Sequence, residues 1–149
     1  MKITFHHRQK DLKIASVRLR RYLLAFLLQK QVCCNEVIVH FVSKKKIGQL
    51  HKELFNDPTP TDCISIPLDS PQDTSPFSVL GEIFVCPKVA CEYAAAHDGD
   101  PHRETLLYVI HGLLHLLGFD DIAAKDRKRM RSEEKKALAL ISHLQSDSS

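Results

Sequence analysis

The chain has 149 residues and a mass of 16.9 kDa, which suits one domain with a real hydrophobic core. Hydrophobic residues make up 44% and charged residues 26%, an ordinary soluble balance that excludes a disordered or fibrous chain. The net charge of +3 and pI near 8.6 are a mild pointer to a polyanionic partner.

The N-terminus MKITFHHRQK lacks the apolar core and cleavage site of a signal peptide. No apolar run approaches the roughly 18–20 residues that cross a bilayer, so a cytoplasmic protein with no membrane partner is expected. Cys33, Cys34, Cys63, Cys86 and Cys91 form an odd set without a C-x-x-C pair, read as reduced, small, buried hydrophobes.

In chain order, Met1 to His6 alternates and reads as a strand. From about Asp11 to Lys30 a helix is expected, with Ile14, Val17, Leu24, Leu27 and Leu28 as its apolar stripe. Glu36 to Val42 is β-branched and reads as a second strand, and Ser43 is an N-cap for a helix to about Phe55. Five of the seven prolines fall between Asn56 and Ser78. That stretch reads as a long exposed loop, with a short strand at Cys63 to Ile66. Val79 to Cys86 is the next strand, and Pro87 opens a helix to about His97. Pro101 opens another, which runs to Leu117 and ends at Gly118. A last helix spans about Ile122 to Leu144. The expected architecture is a single α/β (α+β) domain over residues 1–149, with a small four-stranded mixed sheet and about five helices.

The stretch Val109 to Ile122 reads V-I-H-G-L-L-H-L-L-G-F-D-D-I. On a helix, His111 and His115 lie about 40° apart in rotation and roughly 6 Å along the axis, so both imidazoles can converge on one ion. Gly118 reverses the chain, and Asp121 can return as a third ligand. Leucine, isoleucine and valine cover nearly the whole helix, which marks it as a buried central element. Two imidazoles there need partners, since an unpaired buried polar group costs about 1–3 kcal/mol. Three ligands suit a catalytic zinc with one position left for water, and hence hydrolysis. Gly112 stands where the H-E-x-x-H metalloproteases carry their general base, so that mechanism does not transfer unchanged. An aspartate as third ligand predicts a less acidic bound water and some tolerance of harder divalent metals such as manganese.

His111-Gly112-Leu113-Leu114-His115-Leu116-Leu117-Gly118-Phe119-Asp120-Asp121 resembles the signature H-G-x-L-H-L-x-G-[YF]-D-H of the YbeY family, bacterial metallo-endoribonucleases of rRNA maturation. Upstream, Arg103-Glu104 resembles the family's Arg-Glu. Leu80-Gly81-Glu82-Ile83 resembles its L-G-D-I strand, and Pro60 to Pro67 its P-T-D-V-L-S-F-P. The resemblance implies a small mixed sheet with helices, one zinc on three side chains, and cleavage of single-stranded RNA in ribosome biogenesis. By position the ligands would be His111, His115 and Asp121. The family's usual third ligand is histidine. It also usually has an arginine before P-T-D, where this chain has Leu54-Phe55-Asn56, so that arginine's role is either lost here or taken by a neighbour such as Lys52.

Glu104 is expected near the metal face of the helix, as an acceptor for an imidazole N–H or a proton carrier, or else as a first-turn acid favouring the helix dipole. Asp120 either orients a ligand or caps the turn. His97 and His102 read as surface histidines, and the pair His6-His7 carries no constellation. Three basic clusters favour a phosphate backbone: Arg18, Arg20 and Arg21; Lys44 to Lys46; and Lys125, Arg127, Lys128, Arg129, Arg131, Lys135 and Lys136. The leading expectation is a zinc-dependent endoribonuclease acting on single-stranded ribosomal RNA or a ribosomal subunit, in rRNA processing and quality control. The alternatives are a metalloprotease-like hydrolase, and a non-enzymatic RNA-binding assembly factor with a structural metal.

Overall fold

Parallel pairing of three strands builds the frame on which the helix carrying His111 and His115 rests. The computed structural model describes residues 1–59 and 61–147, with nothing stated for the side chain of Asp147. The elements are β1 (Lys2–Arg8), α1 (Ser16–Gln29), β2 (Glu36–Val42), α2 (Lys44–Phe55), β3 (Cys63–Pro67), β4 (Val79–Val85), α3 (Pro87–His97), α4 (Pro101–Leu116) and α5 (Ala124–Asp147). The sheet order is β1-β2-β4-β3. β1, β2 and β4 run parallel, and β3 returns antiparallel to β4, pairing Ser65 with Ile83. This is the expected mixed four-stranded sheet with five helices. Pro60, part of the P-T-D resemblance, lies outside the described residues.

Alternation divides the sheet's two faces. Val37, Val39 and Phe41 of β2 and Ile83 and Val85 of β4 join one core with side chains of α1, α4 and α5. On the other face, Val42 and Ile64 pack with Ile47 of α2 and Cys86 in a smaller cluster. α2 begins where expected, because the Ser43 hydroxyl accepts the Lys46 N–H at 3.2 Å.

Two expectations need correction. Helix α1 starts only at Ser16, and its buried stripe is Leu19, Tyr22, Leu23, Phe26 and Leu27, whereas Val17 and Leu28 are about four-fifths exposed. An all-apolar run such as Tyr22 to Leu28 supports several helical phases, and packing selected another. Of the cysteines, all free, Cys34 and Cys86 are buried and Cys33 is exposed, while Cys63 and Cys91 are partly buried.

Candidate metal centre

Helix α4 is anchored at both ends. At its start the Asp100 carboxylate accepts the His102 N–H at 2.9 Å, ahead of Pro101 in the first turn. At its end the Phe119 N–H bonds the Leu114 carbonyl and the Gly118 N–H bonds the His115 carbonyl, both at 3.0 Å. This is a Schellman motif, and its αL position is Gly118 with φ of +100°. The Asp120 carboxylate then accepts the N–H groups of Asp121 and Ile122 at 2.6 and 3.2 Å, so Asp120 caps the turn. Two successive local motifs thus swing Asp121 back over the last turns of α4.

The result is a compact triangle. His111 Nε2 and His115 Nε2 stand 3.1 Å apart, and Asp121 Oδ2 lies 3.3 Å from the first and 3.4 Å from the second. Charge-assisted N–H···O bonds are shorter, about 2.7–2.9 Å. Donor atoms at about 2.0–2.1 Å from one tetrahedral zinc would instead be separated by about 3.3–3.4 Å. The two contacts to Asp121 match that separation, while the two rings, at 3.1 Å, are also within hydrogen-bond range of each other; the donor set, two nitrogens and a carboxylate oxygen, is one zinc accepts. Among the described residues this is the cluster of histidine, cysteine and acidic side chains whose ligand atoms converge closely enough to hold an ion.

Behind the triangle, Glu134 Oε1 of α5 lies 3.3 Å from His111 Nδ1. Its carboxylate raises the pKa of the His111 ring above the usual imidazole value, against the opposing pull of burial. Sequence reasoning missed this residue. One signal was available: Met130, Glu134, Ala137 and Ile141 share a helical face, and the three apolar members are fully buried. An acid on such a stripe needs a partner.

Gly112 faces the sheet. A Cβ there would stand 2.7 Å from Ile83 Cγ2 and 2.9 Å from Cys63 Sγ, and the Gly112 carbonyl accepts the Ser65 hydroxyl at 3.2 Å. The glycine lets α4 lie directly on β3 and β4.

A model of the family described as Endoribonuclease YbeY matches residues 3–142. The chain belongs to the YbeY endoribonuclease family. Endoribonuclease YbeY of Protochlamydia amoebophila is 46% identical over 132 residues, covering 89% of this chain and 87% of that protein. The Chlamydia felis and Chlamydia trachomatis proteins of the same name are 35% and 36% identical over 144 residues. They cover 95% and 96% of this chain, and 91% and 89% of their own lengths. The solution structure of a Thermotoga maritima protein matches the fold with a TM-score of 0.67 at 27% identity, over 97% of this chain and 93% of that one.

Glu104 sits in the first turn of α4, seven residues and so about 10 Å along the axis ahead of His111. The acceptor at the His111 ring is Glu134 instead. Lys52 is exposed in the last turn of α2. His97 is exposed, with its ring stacked on Tyr93, and His102 is exposed beside Asp100. His6 stacks on His40 at 4.9 Å, and His40 on Phe84 at 4.3 Å, on the sheet face opposite the one that Gly112 meets.

The basic clusters are unequal. Lys44 is bonded to Glu92 at 2.8 Å, and Arg20 lies over the Phe5 ring. The seven cations of α5 are all exposed and follow directly on the turn that carries Asp121, although Arg127 bonds the Ile122 carbonyl, Arg129 lies over the Phe119 ring and Lys136 pairs with Glu133. No helix among the described residues is long and apolar enough to cross a membrane.

Proposed function

We propose that this chain is a zinc-dependent, single-strand-specific endoribonuclease of the cytoplasm that acts on ribosomal RNA or the ribosomal subunit, in rRNA processing and ribosome quality control. The observation that carries the reading is the triangle of His111, His115 and Asp121, whose sides of 3.1, 3.3 and 3.4 Å suit one tetrahedral ion, in a chain of endoribonuclease family. When bound, the ion would supply Lewis acidity toward a phosphoryl oxygen and activate water for hydrolysis.

This chain's own residues do the rest. His111 and His115 act as neutral donors on a rigid helix, and Asp121 brings the negative charge that offsets the cation. The exposed cations of α5 draw in the phosphate backbone without reading sequence. Within the same reading, Glu104 carries a proton at the far end of the α4 face, and Lys52 meets a substrate phosphate in place of the family's arginine. The protease alternative loses its footing at Gly112, because that position points into the sheet.

The test is cleavage of single-stranded and duplex RNA of the same sequence by zinc-loaded protein. We expect cutting of the single strand that ends on chelation and returns with zinc. Undiminished cutting by a His115→Ala variant stripped of metal would sink the proposal.

A further inference from the structure

Resting on the metal-centre reading, we infer that Glu134 is a positioning residue that holds His111 in one tautomer, with the Nε2 lone pair aimed at the point His115 and Asp121 share. Both ring nitrogens of His111 are engaged, Nδ1 in a long hydrogen bond with Glu134 at 3.3 Å, and Nε2 toward His115 Nε2 at 3.1 Å and Asp121 at 3.3 Å. A neutral imidazole has a single N–H, and an ionised carboxylate only accepts. These contacts alone do not choose between the nitrogens; once Nε2 is given to a metal, the single proton falls to Nδ1, where the Glu134 carboxylate receives it.

The surroundings make Glu134 a fixed post rather than a passing surface acid. Its side chain is 14% exposed, against 38% for Asp121. It lies on the face of α5 whose other members, Met130, Ala137 and Ile141, are locked in the main core. The adjacent Glu133 points to a different task, pairing with Lys30 and with Lys136. A carboxylate on an otherwise apolar face is costly to bury unless it is bonded, and the bond that the structure gives it is to His111. α5 thus reaches the metal centre from behind, through a residue that would not touch the ion.

The experiment compares wild-type protein with Glu134→Gln and Glu134→Ala. Zinc affinity is read by competition with a chromophoric chelator, and the His111 ring nitrogens by 15N NMR of the zinc-free protein. Glu134→Ala should weaken zinc binding by about 10–100-fold, and Glu134→Gln, which keeps an acceptor without the charge, by less. The His111 Nδ1 resonance should be protonated in the wild type and move toward a tautomer mixture in Glu134→Ala. Zinc binding and ring-nitrogen shifts unchanged in Glu134→Gln, the near-isosteric variant least prone to misfolding, together with the same result in any folded Glu134→Ala, would overturn the inference. A wild-type protein that fails to take up zinc would overturn the metal-centre reading itself, a result seen before either variant is measured.

Discussion

Gly112 and Ile83 leave no room between them: a methyl group on the glycine would sit 2.7 Å from the isoleucine Cγ2. In most helix interiors, glycine to alanine is worth about 1 kcal/mol in stability. Here overpacking wins. Gly112→Ala should destabilise the protein by about 1–3 kcal/mol, measured by urea unfolding, and Gly112→Glu should not fold normally. An alanine variant as stable as the parent would show that α4 can lift from the sheet.

Gly118→Ala puts a Cβ into the left-handed backbone region at φ +100°. The expected loss is about 1–2 kcal/mol. Because the same turn delivers Asp121, zinc affinity should fall as well, whereas space is open around Gly118 and no clash contributes. Isothermal titration with zinc, alongside thermal unfolding, separates the two effects.

Much of the centre was legible because it is local. His111, His115, Gly118 and Asp121 lie within eleven consecutive residues, where helical periodicity and one glycine turn determine geometry. Glu134 was not, because it comes from another helix whose approach depends on tertiary packing. Gly112 was legible only as a missing general base, since nothing in a linear sequence shows β3 and β4 beneath it. The same holds for charge: Lys44 counts as a free cation until Glu92 is seen beside it. In α1 the apolar run hid its own phase.

Asp121→His would restore the family's usual third ligand. We expect zinc to be retained, with manganese binding weakened relative to it, because imidazole suits zinc and carboxylate suits harder ions. Competition between the two metals, read by elemental analysis, checks the ratio. An unchanged ratio would mean that Asp121 does not contact the ion.

Reversing Lys128, Arg131 and Lys135 to glutamate should weaken single-stranded RNA binding and flatten its salt dependence. Every phosphate that the variant no longer neutralises takes about 0.7 off the slope of log affinity against log salt. Fluorescence anisotropy across salt concentrations gives that slope, and zinc content should stay at the parent level. A steep slope that survives the reversal would place the RNA elsewhere on the surface.

Cys63 is only partly buried as a residue, but its sulfur packs beside Gly112, and that desolvation pushes the thiol pKa up to about 12. At pH 8 it should resist a thiol reagent while exposed Cys33 is modified quickly. Labelling followed by peptide mass analysis reads both sites, and fast modification of Cys63 in the folded protein would contradict the packing.

Two of the three candidate ligands ride on a helix pinned to the sheet, and the third hangs from a turn held by a handful of backbone hydrogen bonds. Such a centre has one jaw built on a helix and the other on a turn. An arriving ion would meet the imidazole pair first and be clasped afterwards, and departure would begin at Asp121. The tempo of metal exchange would then follow how often the Gly118 to Asp121 turn opens more than the strength of the histidine bonds.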